Sequence, residues 1–558
     1  MISISQTARL PQARQISIVL TIVSLALWAY GITQSRLEIG KYGMIAGFSI
    51  TYFLALGTLT VASALLWTSR MSEWKLLLTQ LCLLLVSLFM AHLIVGATLP
   101  LGSVAYSDLG YSESILRTGI TNPLKLWEQN WPGNYIMQAE ALLLSGKNAV
   151  DFGAFLKWLP IIWQIILFFP VFVFLRNVLG ERHPNYCWAG MWLFYLGNWF
   201  GLQYNGAQPF GIFCVFSVLA LVSNKTIWER GLFSFAQRTS ALLVIASLTV
   251  SHFLGSLYVL ATLTGAYFSR VLKSPRLIVV AALMIGLWSM SGGTQFFVAG
   301  LSGFIAKALR LDEAVRQGII SPLSYSESRA AVASVRILFS AIIVGLGVLG
   351  AVLTFTKSLD EKRTSRSVLI ISLVYGIAAL IIGAGYNREI FLRLLLFLLP
   401  SIAFFAVKLL DYKTTSIVFV ILLVAGLPLS FVSQHGNQKM DHISASYLDG
   451  ANYFYQHTTR GTVDAFGPVG QSQNKENYST PYTYQNLVQE GDRLVVASAI
   501  KNRPYYVVLS THDRDYQDFF FNRPGLVDSL ALSMARTSGW NLSFANPSFC
   551  VYVLVTGS

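Results

Sequence analysis

The sequence predicts a mainly α-helical bundle of transmembrane spans that carries a small extracytoplasmic α/β domain at its C-terminal end. Three observations predict it. Apolar runs near the ~20 residues needed to cross ~30 Å of hydrocarbon recur from residue 16 to residue 432. Hydrophobic residues make up 54% of the chain and charged ones only 12%, a balance suited to lipid contact rather than to a hydrated surface. Beyond residue 433 the long runs stop, and a stretch able to bury its own core takes over.

Taken in order, the runs place spans at 16–34, 44–67, 76–97, 158–178, 187–199, 209–223, 240–252, 255–269, 277–296, 332–356, 367–385, 390–410 and 414–432, about thirteen crossings. The first span lacks a cleavage site of small residues and reads as a retained anchor. Between 240 and 269, basic residues at both ends favour two short helices meeting at Ser251-His252-Phe253 over one long tilted helix. Arg9 and Arg14, Arg70 and Lys75, Arg176 and Arg182, Lys225 and Arg230, Lys273 and Arg276, and Lys362 to Arg366 fall in alternate connections. By the positive-inside rule these face the cytoplasm, so the N-terminus is inside and the tail outside. The organisation is then two N-terminal accessory spans (1–75), a core with a large external loop at 98–157 (76–331), further spans (332–433) and a soluble external domain (434–558). In that domain a helix is expected at 444–458, strands at 494–499 and 505–510, a second helix at 515–537 and a closing strand at 549–555. Sequons at Asn477-Tyr478-Ser479 and Asn541-Leu542-Ser543 fit an external location.

Composition also excludes. The net charge of +14 is strung along short connections, where orientation and anionic headgroups account for it, and no basic run interleaved with aromatics points to nucleic acid. Cys82, Cys187, Cys214 and Cys550 are scattered, giving neither a disulfide framework nor a CxxC metal site. No glycine-rich lysine loop for a nucleotide is present.

The first external loop holds the candidate chemistry. Asp108 follows soon after a span, and Glu113 lies on the next short helix with Arg117 one turn on. Carboxylates held at a membrane surface either take a proton from an acceptor hydroxyl or hold a divalent cation such as Mg²⁺ or Mn²⁺; the plain alternative is that they solvate a juxtamembrane helix. Trp131-Pro132-Gly133 opens an amphipathic stretch to Ser145 that is too short to cross and lies along the interface, where Trp131 serves as an anchor or as a platform for a sugar. Gln203, Tyr204, Asn205 and Gln208 form an uncharged set suited to sugar hydroxyls, or a turn between spans. His252 at a span tip reads as an interfacial hydrogen-bonding group or as a contact to phosphate. Arg388 and Arg393 are sharper: an arginine within an apolar run needs a partner, either Glu389 or the phosphate of a lipid. The loop near 306–329 carries Lys307, Arg310, Asp312, Glu313 and Arg316 on an amphipathic helix, a solvated face or a gate.

In the order of these parts the chain resembles the GT-C superfamily of polyprenyl-phosphate-dependent membrane glycosyltransferases, closest to an archaeal and bacterial branch with Trp-Pro-Gly in its first large loop. The resemblance covers roughly 76–432 and rests on Asp108 with Ile-Leu-Arg-Thr-Gly at 115–119, Trp131-Pro132-Gly133, Gln208-Pro209, Ser251-His252-Phe253, and Arg393 leading to Leu399-Pro400. It implies transfer of a sugar from a polyprenyl-phosphate donor to a glycan, lipid or protein acceptor at the external face. Asp108 would be the base toward the acceptor, Glu113 and His252 would shape the site or its cation, and Arg388 and Arg393 would hold the leaving phosphate. Two departures stand out: Ser112 replaces a histidine frequent in relatives, and Leu254-Gly255 replaces a threonine-proline, which leaves the metal open. A transporter or flippase of an amphipathic or lipid-linked substrate, or a non-catalytic scaffold subunit, stays as the alternative. The topology is testable at once: in a cysteine-free version, single cysteines near Ser472 and near Asn134 react with an impermeant thiol reagent from outside and one near Ser365 does not, whereas labelling near Ser365 with protection near Ser472 inverts the orientation.

Overall fold

The computed structural model describes residues 9–69, 71–99, 103–124, 127–147, 152–180, 184–199, 206–224, 232–296, 298, 316, 325–355, 359–383, 390–458, 461–465, 478–479, 487–490, 493–496, 506–536 and 540–554. The helices are α1 (Arg9–Thr33), α2 (Ile50–Trp67), α3 (Trp74–Phe89), α4 (Ser103–Thr118), α5 (Gly133–Ser145), α6 (Leu159–Leu179), α7 (Tyr186–Gly197), α8 (Ala207–Ser223), α9 (Leu232–Ser251), α10 (Phe253–Phe268), α11 (Arg276–Met290), α12 (Glu327–Thr354), α13 (Leu359–Gly383), α14 (Ile390–Ala406) and α15 (Lys413–His435). Six helical stretches among the described residues are long and apolar enough to cross a membrane, and α3, α8, α10 and α11 are shorter apolar helices. Apolar side chains such as Ile22, Leu283, Leu287 and Val352 point outward, as a lipid-facing surface requires.

Small residues let the N-terminal helices approach closely. Ser17 and Ser24 on α1 donate to the carbonyls of Ala62 and Ala55 on α2, at 2.8 Å each. Gln80 of α3 ties the pair to the bundle: its amide nitrogen donates to Ser17 at 3.0 Å and Thr21 at 2.8 Å, and its oxygen accepts from Ser63 at 2.8 Å. A fully buried carboxamide is thereby satisfied at both ends, as hydrocarbon surroundings demand.

The two-helix reading of 240–269 is the observed one. His252 alone is extended (φ −158, ψ 108) between α9 and α10. The short helix expected around Glu113 is longer, since α4 begins before Asp108 and runs for 16 residues. Pro132 is the N-cap of α5, and Gly146 ends it in the left-handed region (φ 63). Ile136, Met137, Leu143 and Leu144 leave an exposed apolar face on α5, as an interfacial helix presents.

The C-terminal domain adds α16 (Ala445–His457), β1 (Gly461–Ala465), β2 (Tyr478–Ser479), β3 (Leu487–Glu490), β4 (Arg493–Val496), β5 (Tyr506–Ser510), α17 (Thr511–Phe521), α18 (Leu526–Arg536), β6 (Trp540–Asn546) and β7 (Phe549–Leu554). The main sheet has the order β2-β1-β5-β7-β6, with β1 parallel to β5 and β7 antiparallel to both β5 and β6. Two differences from the sequence reading have local causes. The single helix expected at 515–537 is broken by Asn522 (φ 54) and Gly525 (φ 77), both left-handed. The strand β6 is hidden in the sequence because Asn541, Leu542 and Ser543 are all exposed, so no alternation marks it.

Alternation along β5 divides the domain core. Val508 packs with Tyr447, Phe454, Phe549 and Val551, while Val507 and Leu509 pack with Val527, Leu530 and Met534 of α18. Tyr106 of α4 belongs to the first of these cores, so the 98–157 loop and the tail share buried surface. The tail also sits on the bundle through Phe519, packed with Val332 and Val432, and through the Arg329 guanidinium 3.2 Å from the centre of the Phe520 ring.

Ser510 caps α17 by accepting from the Asp513 amide at 3.1 Å and donates to the Asp513 carboxyl at 2.6 Å. Burial pushes the Asp513 carboxyl up to about 7, and burial holds the neighbouring His512 down to about 4. A raised carboxyl favours the folded state while protonated, so its contribution is lost as pH rises toward 7; a depressed histidine acts oppositely below its ordinary value of 6.5. The two offset each other in acid, and near neutrality Asp513 acts alone. Amide exchange across 506–521, corrected for intrinsic rates, is therefore expected to accelerate from pH 6.5 to 8, and Asp513→Asn is expected to flatten that rise; an unchanged slope in the variant refutes the assignment.

Candidate active site at converging helix starts

Three helices run parallel and start at one level. The ring of Phe397 in α14 stacks on Tyr258 of α10 at 3.8 Å and meets Phe216 of α8 edge-on at 6.5 Å. These rungs lie within about a turn of the same depth counted from each helix start, so the three N-termini open together. Each contributes backbone N–H groups that have no partner within the helix, and the positive end of its dipole.

His252 is fixed at this mouth. Its Nδ1 accepts from the Gly255 N–H at 2.9 Å, capping α10, which places the proton of the neutral ring on Nε2. The ring fills the space beside two glycines: a Cβ on Gly211 would lie 2.7 Å from Nδ1, and one on Gly255 would lie 3.0 Å from it. Gly255 at this position therefore has a physical reason, because proline would remove the donating N–H. Gln208, in the first turn of α8, is buried. Arg393 lies in the first turn of α14 and acts electrostatically on both His252 and Tyr258. The sequence reading puts this arginine inside an apolar run; its place at a helix start brings it nearer the surface.

The Trp-Pro-Gly segment closes one side. Trp131 packs in a triangle with Phe253 and Phe296, with ring centres 4.9 to 5.1 Å apart, and a Cβ on Gly133 would meet the Ser251 hydroxyl at 2.2 Å. Asn130 ties in the next turn, its carbonyl accepting from the Trp288 indole at 3.2 Å and its side-chain oxygen from the Phe296 amide at 3.2 Å. Trp131 is thus joined to His252 through neighbouring residues.

The carboxylates stand elsewhere on the same frame. Helices α4 and α5 are antiparallel: Leu109 shares a cluster with Leu142, Ser112 donates to Gln138 at 2.9 Å, and Tyr111 packs on Tyr135. Asp108 is buried on α4 level with Leu142, about two and a half turns along α5 from Gly133. Glu113 is half-buried and about 140° around α4 from Asp108, so the two do not share a face. Between the two ends α5 turns Asn134 and Gln138 inward; Asn134 is 1% exposed, and neither of its side-chain polar atoms has a partner among the described residues. Sequence reading missed both carboxamides. Their spacing of four on a helix that is apolar on its other side was the available signal.

Arg388, Gln203, Tyr204 and Asn205 lie outside the described residues, as do Glu389 and, in the expected 306–329 helix, Lys307, Arg310, Asp312 and Glu313. Among the described residues no three His, Cys, Asp or Glu side chains are grouped to hold a metal ion.

No family model matches the chain, and no curated protein is significantly similar in sequence. Among solved structures, ArnT from Cupriavidus metallidurans bound to undecaprenyl phosphate matches over 86% of this chain and 98% of that one, with a TM-score of 0.51 and 11% identity. The Archaeoglobus fulgidus oligosaccharyltransferase in complex with Zn and sulfate matches over 86% of this chain and 73% of that one, at a TM-score of 0.46 and 12% identity. The likeness to ArnT speaks for the fold alone: the chain is a multi-pass helical membrane protein whose helices are arranged similarly to those of that structure.

The glycines give a direct check on the cradle. Gly211→Ala is expected to cost roughly 1–3 kcal/mol by overpacking His252. Gly286→Ala, where an added Cβ meets nothing within 4 Å, is the neutral control. Thermal unfolding of the two variants side by side decides it; equal stability shows that His252 is not wedged in place.

Proposed function

We propose that the protein is an inverting, membrane-embedded glycosyltransferase that takes a sugar from a polyprenyl-phosphate donor at the external face of the membrane. The observation that carries this reading is the convergence of three helix N-termini with Arg393 and His252. Helix starts and a guanidinium both favour an anion with oxygens at hydrogen-bonding distance, and a phosphate ester is such an anion. The fold likeness supports the choice of a lipid phosphate, since ArnT was crystallised with undecaprenyl phosphate.

The chemistry then divides along α5. An acceptor hydroxyl gives its proton to Asp108 while its oxygen attacks the anomeric carbon. The bond from that carbon to the phosphate oxygen breaks, and the electron pair leaves with the phosphate. Charge developing on the leaving group is met by the starts of α8, α10 and α14, by Arg393, and by Arg388 from the same connection. His252 donates from Nε2, Gln208 and the 203–205 segment take hydroxyl groups, and Trp131 walls the site. Glu113, about 140° around α4 from Asp108, shapes the site and leaves the proton transfer to Asp108.

Turnover of purified protein with a panel of polyprenyl-phosphate sugars tests the reading. Asp108→Asn is expected to lower turnover by roughly 10²-fold or more while lipid binding persists. Arg393→Lys keeps the charge but loses the planar fork and weakens donor binding modestly, whereas Arg393→Met weakens it far more. Full activity in Asp108→Asn removes the base, and unchanged donor binding in Arg393→Met removes the phosphate site.

A further inference from the structure

A second polar centre lies at the opposite kind of helix end. The C-termini of α3, α7 and α15 meet the first turns of α6, and the contacts between them are specific. Tyr195 donates to the Gln164 carbonyl at 2.9 Å, and the Asn198 amide nitrogen donates to the Gln164 side-chain oxygen at 2.8 Å. Ser430 donates to the Leu196 carbonyl at 2.7 Å, and Arg336 donates to the Ser433 carbonyl at 2.8 Å while lying over the Trp199 ring at 5.1 Å. One ring nitrogen of His435 bonds to the Leu88 carbonyl at 3.1 Å, and one of His92 to the Lys157 carbonyl at 3.0 Å.

What remains after these bonds is unusual for a membrane bundle. Gln164 Nε2, Asn198 Oδ1, Ser433 Oγ, and the Nδ1 atoms of His92 and His435 have no partner among the described residues, although all five side chains are at most 2% exposed. Each such group costs about 1–3 kcal/mol if nothing meets it. The contrast with Gln80, satisfied at both ends in the same bundle, shows that the fold can close a polar knot where only structure is at stake.

We propose that this cluster is the subsite for the hydroxyl groups of the donor's sugar. The inference rests on the glycosyltransferase reading and deepens it. The free groups are a mixed set of donors and acceptors, and helix C-termini surround them with carbonyls, so the centre suits a neutral ring bearing several hydroxyls and is unsuited to a second phosphate. Its depth fits a sugar joined to the phosphate held above. Gly197, next to Asn198, packs on Leu399, which is about 9 Å along α14 from Arg393, the scale of a phosphorylated monosaccharide. Arg336 and the Trp199 face close the side toward α12.

The test uses the full-length protein in nanodiscs and two probes, undecaprenyl phosphate and the same lipid carrying a hexose, pentose or amino sugar. The double variant Gln164→Met with Asn198→Leu removes both carboxamides together at similar volume, and Ser433→Ala is a second, milder variant. Wild type is expected to bind one of the sugar-bearing lipids at least about ten-fold tighter than the bare phosphate, and the double variant to lose that preference while its affinity for the bare phosphate is unchanged. Ser433→Ala is expected to lose part of it, which guards against misfolding of the double variant. Preference retained in both variants overturns the subsite and leaves the phosphate site standing, as does a wild type that binds bare and sugar-bearing lipids equally. A wild type that binds neither lipid overturns the glycosyltransferase reading itself.

Discussion

The half of the bundle around the starts of α8, α10 and α14 depends on one steric fit, the imidazole of His252 in the space left by two missing side chains. Gly211 lets α8 approach the ring, and Gly255 supplies both the room and the N–H that fixes the tautomer. Because His252 is the only residue between α9 and α10, holding it also sets the angle at which the chain reverses. With α10 fixed, Tyr258 stacks on Phe397 and bonds of the same layer form around it, Tyr375 to Thr262 at 2.6 Å among them. The common level of the three helix starts, and hence any anion site there, is a consequence of that fit.

The tail domain packs on the same end of the bundle as α4. Tyr106 is buried in the tail's core two residues before Asp108, and a Cβ on Gly153 would lie 2.5 Å from its ring. The position of Asp108 therefore depends on the tail as much as on the membrane helices, through an ordinary aromatic contact. Phe519, Phe520 and Arg329 hold the same domain to α12 and α15 from the other side. Detachment of the tail would expose apolar surface at both places, which couples its stability to the geometry of α4.

The two polar centres differ in the sign of the backbone that surrounds them. At the starts of α8, α10 and α14 the backbone groups with no partner inside the helix are N–H donors, whereas at the ends of α3, α7 and α15 they are carbonyls, several of which side chains meet. A phosphorylated sugar has the complementary division, with oxygens carrying negative charge at one end and hydroxyl groups at the other. On the proposed reading, Arg393 adds to a bias toward an anion that the helix starts already provide.

Much of this was legible in the residues alone. Hydropathy gave the membrane class and nearly all helix positions, because a lipid environment allows few alternatives to apolar helices. The break at His252 and the helix after Trp131-Pro132 were also readable, since a polar residue among short apolar runs and a proline each leave a local mark. Tertiary structure alone decided what those residues meet. Asp108 and Glu113 are near in sequence yet face different ways because α4 is a continuous helix, and five residues are not a helical repeat. Gln164 and Asn198 are 34 positions apart, and each is unremarkable in its own span. Only the packing of α6 against α7 joins them and leaves polar atoms over, because satisfaction of a buried group is a property of neighbours brought together by folding and not of the residue that carries it.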